Sequence, residues 1–302
     1  MRICACYCVL NEKDYLEYSI RSLINAVDEV IIVHGSTTFA PLHNNGLSVD
    51  NTSGIISKMQ KEYPDKIKKI MNVGMVANRM MMQNIYVGMV NEGDWILRSD
   101  GDEIWDEKEL LGLRRALGAR DPVEAYVWQI ELRNSFKYHL PIKFVPGRDN
   151  FFDRDKKPYY NGFIQERIYR RIPGMDVRHR LYHTHVDDRN GRALYGDAAY
   201  AAKRFRASVH FYHFGRICCM NKFILKASHI RCQNVDKKPW SELTQDRKNE
   251  IIVRTRNIWY EDNAMKADFA AAPALPPILN NHPFKDLSFK KIPNNPVYEL
   301  EL

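Results

Sequence analysis

Apolar and polar positions over the first 130 residues fall into short blocks whose period switches between that of a strand and that of a helix. Residues 2 to 10, RICACYCVL, form a β-leaning apolar run that stops at Asn11. Leu16, Ile20, Leu23, Ile24 and Val27 then recur at helical spacing, with Asn11 placed to cap and Glu12 and Asp14 suited to the positive end of a helix. EVIIVH, starting at Glu29, reads as a buried strand, and the Gly-, Ser- and Asn-rich stretch from Gly35 to Ser53 as a loop. A helix over about 51–62 follows, with Asp50, Asn51 or Thr52 as its cap. KIKKIMNV supplies a third strand, ANRMMMQNIYVGMV a third helix and DWILRS a fourth strand. Alternating short strands and helices predict an open α/β fold, a mostly parallel Rossmann-like sheet with helices on both faces. Ligands in such sheets bind beyond the carboxyl ends of the strands, where Asn11, His34 and Asp100 fall.

Further along, Asp106 and Glu109 make a D-x-x-E capping box for the helix EKELLGLRRAL, and VEAYVWQIEL is a strand. Residues 133 to 200 are rich in Pro, Gly, Arg, Tyr and His and predict short antiparallel elements over the site. Helical periodicity resumes from Ile217 to about Arg231 and again over about 241–260, before a proline-rich tail expected to wrap the surface in extended form. The division this implies is a main domain over 1–215 and a helical C-terminal extension over 216–302.

Composition narrows the class. With 302 residues, 45% hydrophobic and 27% charged, the chain is long enough for a real core and ordinary for a globular protein. No apolar run is long enough for a membrane span, and the N-terminal stretch lacks an export signal, so a cytoplasmic protein is expected. Cys4, Cys6 and Cys8 alternate along one strand and share a face, which suits reduced packing residues better than a zinc site lacking a second Cys/His cluster. The net charge of +8 is compatible with phosphate groups, nucleic acid or a peripheral contact with anionic membrane. The absence of a nucleic-acid motif or basic run weighs against nucleic acid as a partner.

Candidate chemistry centres on LRSDGDEIW, Leu97 to Trp105, where three carboxylates crowd one glycine directly after a buried strand. Asp100 and Asp102, with a turn-permitting glycine between them, suit one small cation. Oxygen ligands favour Mg2+ or Mn2+, which in turn neutralise a diphosphate. An ordinary acidic turn before the next helix is the plainer alternative. Glu103 is placed to support the loop from behind.

Three segments in order carry a resemblance: Asn11-Glu12, DEVIIVHGSTT from Asp28 to Thr38, and GDWILRSDGDE from Gly93 to Glu103. Together they resemble the family 2-like glycosyltransferases of the GT-A fold, over roughly the first 110 residues. The resemblance implies a metal-dependent enzyme that moves a sugar from a nucleoside-diphosphate donor, a UDP-sugar or GDP-sugar, to a hydroxyl, with inversion. The acceptor would be a glycan, a lipid-linked glycan or a protein. It implies donor contacts from Asn11, Glu12, His34, Arg79, Asp100 and Arg216, and a metal held by Asp100, Asp102 and His213. His34 stands where relatives have a base-contacting aspartate, and LSVDNTSGII looks like a displaced continuation of that motif, which would return Asp50 to the nucleotide pocket unless it simply caps a helix. His213 and Arg216 lie in HFGR, with Lys222 behind them; His210 competes with His213 but falls on the opposite face of a strand. For the base that takes the acceptor proton, the resemblance implies Asp187 in YHTHVDD, with Glu166 as the alternative. Two other functions use comparable features: a nucleotidyltransferase acting on a sugar phosphate, whose glycine- and basic-rich first loop is missing from VLNEKDYLEYS, and a non-catalytic basic module.

Overall fold

The protein, seen in a computed structural model that describes residues 1–120, 124–133, 135–139, 163–175, 177, 204–215, 217–262, 270–272, 274–287, 291–294, 296–298 and 300, is built on one mixed sheet. Its parallel half consists of β1 (Ile3–Val9), β2 (Glu29–Thr37), β3 (Lys69–Val76) and β4 (Trp95–Ser99) in the order β3-β2-β1-β4. That is the order of a mononucleotide-binding α/β half, with β1 at its centre. The connecting helices are α1 (Leu16–Leu23), α2 (Thr52–Glu62) and α3 (Arg79–Met89), and α4 (Glu107–Arg120) follows a short strand, β5 (Glu103–Trp105).

The apolar runs are continuous because both faces of the sheet are covered. Ile3, Ala5, Tyr7 and Val9 pack towards Leu16 and Ile20 of α1, Met59 of α2 and Leu113 of α4. Cys4 and Cys6 face the other way, with Ile31, Val33 and the α3 residues Met82, Tyr86 and Val87. All six cysteines are free, in agreement with a reduced packing face. Each fully buried Ile or Leu stabilises the fold by about 1.5–3 kcal/mol.

The second half of the sheet turns antiparallel. β8 (Phe163–Arg170) runs antiparallel to β4 on one side and to β6 (Glu124–Arg133) on the other, and β7 (Ser135–His139) continues from β6. β9 (Arg204–His213) lies parallel to β6 and antiparallel to β5, which sets His213 opposite both Glu103 and Glu131. The expected antiparallel section is therefore present among the described residues. A two-residue strand, β10 (Ala270–Ala271), closes on β7.

Two helices follow, α5 (Met220–Arg231) and α6 (Gln245–Asp262). Phe223 of α5, Trp259 of α6 and Leu279 and Tyr298 of the tail share a buried cluster with Tyr15, Ile104 and Phe214. The tail departs from the expectation of a surface wrap: its prolines open 3-10 turns at Pro277–Asn281 and Pro296–Tyr298, which sink Leu279 and Tyr298 into the core. Among the described residues no helix is long and apolar enough to cross a membrane.

Local chemistry also departs from the sequence reading at two helix starts. Asn11 does not cap α1; it adopts a left-handed backbone with φ 57°, and the N-cap position is Tyr15. The capping box of α4 is half formed. Asp106 Oδ1 accepts from Glu109 N at 3.0 Å, but the Glu109 carboxylate goes to His210, accepting from its backbone N at 2.6 Å.

Candidate active site

The carboxyl ends of β1, β2 and β4 form a rim, and α5 lies along it. On a helix, residues four and three apart share a face, so Lys222, Lys226 and His229 of α5 point the same way. Lys222 Nζ donates to Asp14 Oδ2 at 2.9 Å and lies 3.5 Å from Glu12 Oε2. Lys226 Nζ donates to Asp102 Oδ2 at 2.7 Å and stands 3.1 Å from Glu12 Oε1. His229 Nε2 meets Thr37 Oγ1, at the end of β2, at 2.8 Å.

Asp100 and Asp102 leave the tip of β4 in different directions. Asp100 Oδ1 accepts from Arg79, the first residue of α3, and its Oδ2 from Arg167 of β8 at 3.3 Å. Burial works to raise the Asp100 carboxyl, but the two guanidinium groups bring it down to about 2. Arg167 also donates to Glu103, whose other oxygen accepts from Asp100 N at 3.0 Å, so Glu103 braces the loop as expected. Asp102 turns the other way, towards Lys226 and His213, and these outweigh its burial and hold it well below the usual carboxylate range. Its backbone oxygen accepts from Phe214 N at 2.9 Å, which ties the loop to the HFG segment.

Glycines here make room for side chains. A Cβ on Gly101 would lie 2.9 Å from Glu12 Cβ and Cγ, so the middle of the DGD sequence is glycine because Glu12 packs on it. The turn-permitting role expected of Gly101 gives way to this close approach. A Cβ on Gly215 would lie 2.7 Å from the His213 ring and 3.1 Å from Asp102 Oδ2.

His213 Nε2 faces Asp102 Oδ1 at 3.7 Å, and its Nδ1 is held by Glu131 of β6. Burial would lower the imidazole, but Glu131 and Asp102 raise it to about 9. His210, on the opposite face of β9, is taken by Glu109 of α4, Nδ1 to Oε1 3.1 Å. Glu131, Arg167 and Lys226 were not singled out from the sequence; strand pairing and helix packing bring each to the rim from far along the chain.

Other candidates have partners within the protein. His34 is 1% exposed. Its Nε2 accepts from Ser48 N at 3.2 Å, and Nδ1 lies 3.2 Å from Asn72 Oδ1. Burial keeps it neutral, with a lowered pKa. Both ring nitrogens of His34, expected near the base, are engaged within the protein. Asn11 is engaged likewise: Oδ1 accepts from Val49 N at 2.9 Å and Nδ2 donates to Leu42 O at 3.2 Å. Asp50 pins the start of α2, accepting from Thr52 N at 2.9 Å and from Tyr298 Oη at 2.5 Å. Glu12 belongs to the lysine pair. Asp187 and Arg216 lie outside the described residues, as does the side chain of Glu166, whose backbone pairs with Tyr126.

Among the described residues no three His, Cys, Asp or Glu side chains form a metal cage. Mg2+ and Mn2+ beside phosphates commonly take only one or two protein ligands, the rest coming from phosphate and water. Asp102 Oδ1 and His213 Nε2 face each other at 3.7 Å, wider than the about 3.0 Å between adjacent octahedral ligands at about 2.1 Å, so the two would hold one ion after a small inward shift and loss of the Nε2 proton. Glu131 on Nδ1 is the partner that a metal-binding histidine usually has. Both oxygens of Asp100 are directed to arginines.

No protein-family profile matches the sequence, and no curated protein matches it. Among solved structures the chain is similar to S. aureus TarS 1–349 in complex with UDP-GlcNAc, at 13% identity over 86% of this chain and 73% of that one, TM-score 0.44. It is also similar to S. aureus TarS, at 14% identity over 85% of this chain and 43% of that one, TM-score 0.42. A third likeness is to 4-diphosphocytidyl-2C-methyl-D-erythritol synthase, at 14% identity over 68% of this chain and 88% of that one, TM-score 0.35. Identity and score are low in all three, and the functional reading rests on the residues of the rim.

Proposed function

We propose that this protein is a glycosyltransferase that takes a sugar from a nucleoside-diphosphate donor and transfers it to a hydroxyl acceptor with inversion. The observation that carries this reading is the meeting, at the tip of β4, of Asp102 with His213 and with Lys226 of α5, in a chain whose first 110 residues resemble family 2-like GT-A enzymes.

In this reading the diphosphate lies across the rim, with α5 supplying positive charge. Asp102 and His213 hold a Mn2+ or Mg2+ ion, and Glu131 fixes the His213 ring so that Nε2 faces outward. When bound, the ion neutralises charge growing on the departing diphosphate. Arg79 and Arg167 keep Asp100 ionised and anchored, so the loop presents Asp102 in one orientation. Arg79 is half exposed and has guanidinium N–H groups to spare for a phosphate or base. Arg216 is assigned to the diphosphate, and Asp187, with Glu166 as alternative, to the proton of the acceptor hydroxyl. A glycan, a lipid-linked glycan or a protein supplies that hydroxyl.

The test is a thermal-shift panel of nucleoside diphosphates, their sugars and nucleoside triphosphates, with and without Mn2+, on wild type and Asp102→Asn. Stabilisation by diphosphates of one base, dependent on Mn2+ and lost in the variant, is the expected result. A response to triphosphates alone would favour a nucleotidyltransferase, and no response to any nucleotide would overturn the proposal.

A further inference from the structure

Charges alternate in sign along the rim: Asp14, Lys222, Glu12, Lys226, Asp102, His213, Glu131. Lys222 is sealed within this line at 1% side-chain exposure, whereas Lys226 is 28% exposed. Lys226 divides its ammonium between two carboxylates, Asp102 at 2.7 Å and Glu12 at 3.1 Å. Asp102 in turn divides its oxygens, Oδ2 to Lys226 and Oδ1 towards His213.

A divalent ion on Asp102 would stand within a few Å of the Lys226 ammonium, and two like charges so close repel strongly in a half-buried site. Lys226 has somewhere to go. Its four-carbon stem is flexible, Glu12 already holds its other side, and a diphosphate bound over the rim offers new oxygens.

We propose that Lys226 is a tethered counter-ion for Asp102 that yields this carboxylate to the divalent ion and moves its charge to the donor's diphosphate. The proposal rests on the assignment of the ion to Asp102 and His213. It makes Lys226 a competitor of the metal and a partner of the nucleotide, so one substitution changes the two affinities in opposite directions. A purely structural lysine would weaken both or neither.

The experiment measures Mn2+ binding by electron paramagnetic resonance, and UDP and GDP binding without metal by calorimetry, on wild type, Lys226→Met, Lys226→Arg and Asp102→Asn. Lys226→Met is expected to bind Mn2+ about tenfold tighter and the preferred diphosphate about tenfold weaker, the size of one partly screened charge. Lys226→Arg, which keeps the charge, is expected to stay near wild type in Mn2+ affinity and guards against a fold defect in the methionine variant. If wild-type Mn2+ binding depends on Asp102 but Lys226→Met binds the ion no tighter, the counter-ion role is overturned and the metal assignment stands. If wild type binds no Mn2+, or Asp102→Asn binds it equally well, the metal assignment itself fails and takes the inference with it.

Discussion

Two polar clusters sit side by side on the same rim and are built on opposite principles. Around Asn11, His34 and Ser48 the groups are neutral and buried, bonded to one another, to the neighbouring backbone and, through His34, to the exposed Asn72. Around Asp102 the groups are charged, part exposed, and paired with flexible cations that a ligand can displace. Buried neutral hydrogen bonds are costly to leave unmade, so the first cluster fixes the 38–50 loop in place. In the second cluster the Asp102 side chain is 7% exposed and that of Lys226 28%, so a group that displaces the ammonium must itself neutralise the carboxylate, as a divalent ion would. A histidine within β2 and one at the end of β9 thus do different work because one is sealed and the other faces a carboxylate across a gap.

Three measurements would break or sharpen this contrast. The largest effect is expected for His34→Ala, which strands the buried Ser48 and leaves a void, lowering unfolding free energy by about 3 kcal/mol in urea. Its affinity for the preferred nucleoside diphosphate is expected to stay within about twofold, since the site is separate. A large loss of affinity in the stable variant would erase the distinction between the clusters.

The second concerns His282, another sealed imidazole. Its Nε2 donates to Asp14 O at 3.0 Å and its Nδ1 accepts from Phe284 N at 3.1 Å, so a second proton has no place. Burial lowers its pKa to about 4. With the folded value below the unfolded one, the unfolded chain binds the extra proton first. Stability is full above about pH 6.5 and is lost as the pH falls towards 4, by about 3 kcal/mol. Denaturant curves between these values check the slope, and His282→Gln, which keeps a donor and an acceptor, should flatten it. An unchanged slope in the variant would assign the acid sensitivity to other groups.

The smallest effect is expected for Arg79→Met. Arg79 is 44% exposed and Arg167 remains on Asp100, so stability should move by less than about 1 kcal/mol. Nucleoside-diphosphate affinity should fall several-fold if Arg79 meets the nucleotide. Equal affinity would leave it as a surface partner of Asp100.

The parallel half of the fold was legible because its strands are buried on both faces and read as unbroken apolar runs, separated by helical periods. The DGD tip was legible because acidic residues directly after a buried strand stand out. Strand parity put His210 and His213 on opposite faces without saying which one faces the rim, and the structure gives them different partners, Glu109 and Asp102. What the sequence did not show are pairings made by register and docking. Glu131 reaches His213 through the parallel alignment of β6 and β9, 82 residues apart, and Lys226 meets Asp102 across 124 residues. No local pattern marks either. Asn11 was misread for a different reason: its left-handed backbone depends on the loop it holds, which a capping pattern does not reveal.

Because α5 supplies the lysines of the rim, the order of synthesis matters. Domains form from the N-terminal side as the chain emerges, and the tips of β1 and β4 leave the ribosome long before Lys222 and Lys226. Until α5 docks, Glu12 and Asp102 repel each other with no lysine between them, so the growing chain stays loose at the very place that will later grip its ligand.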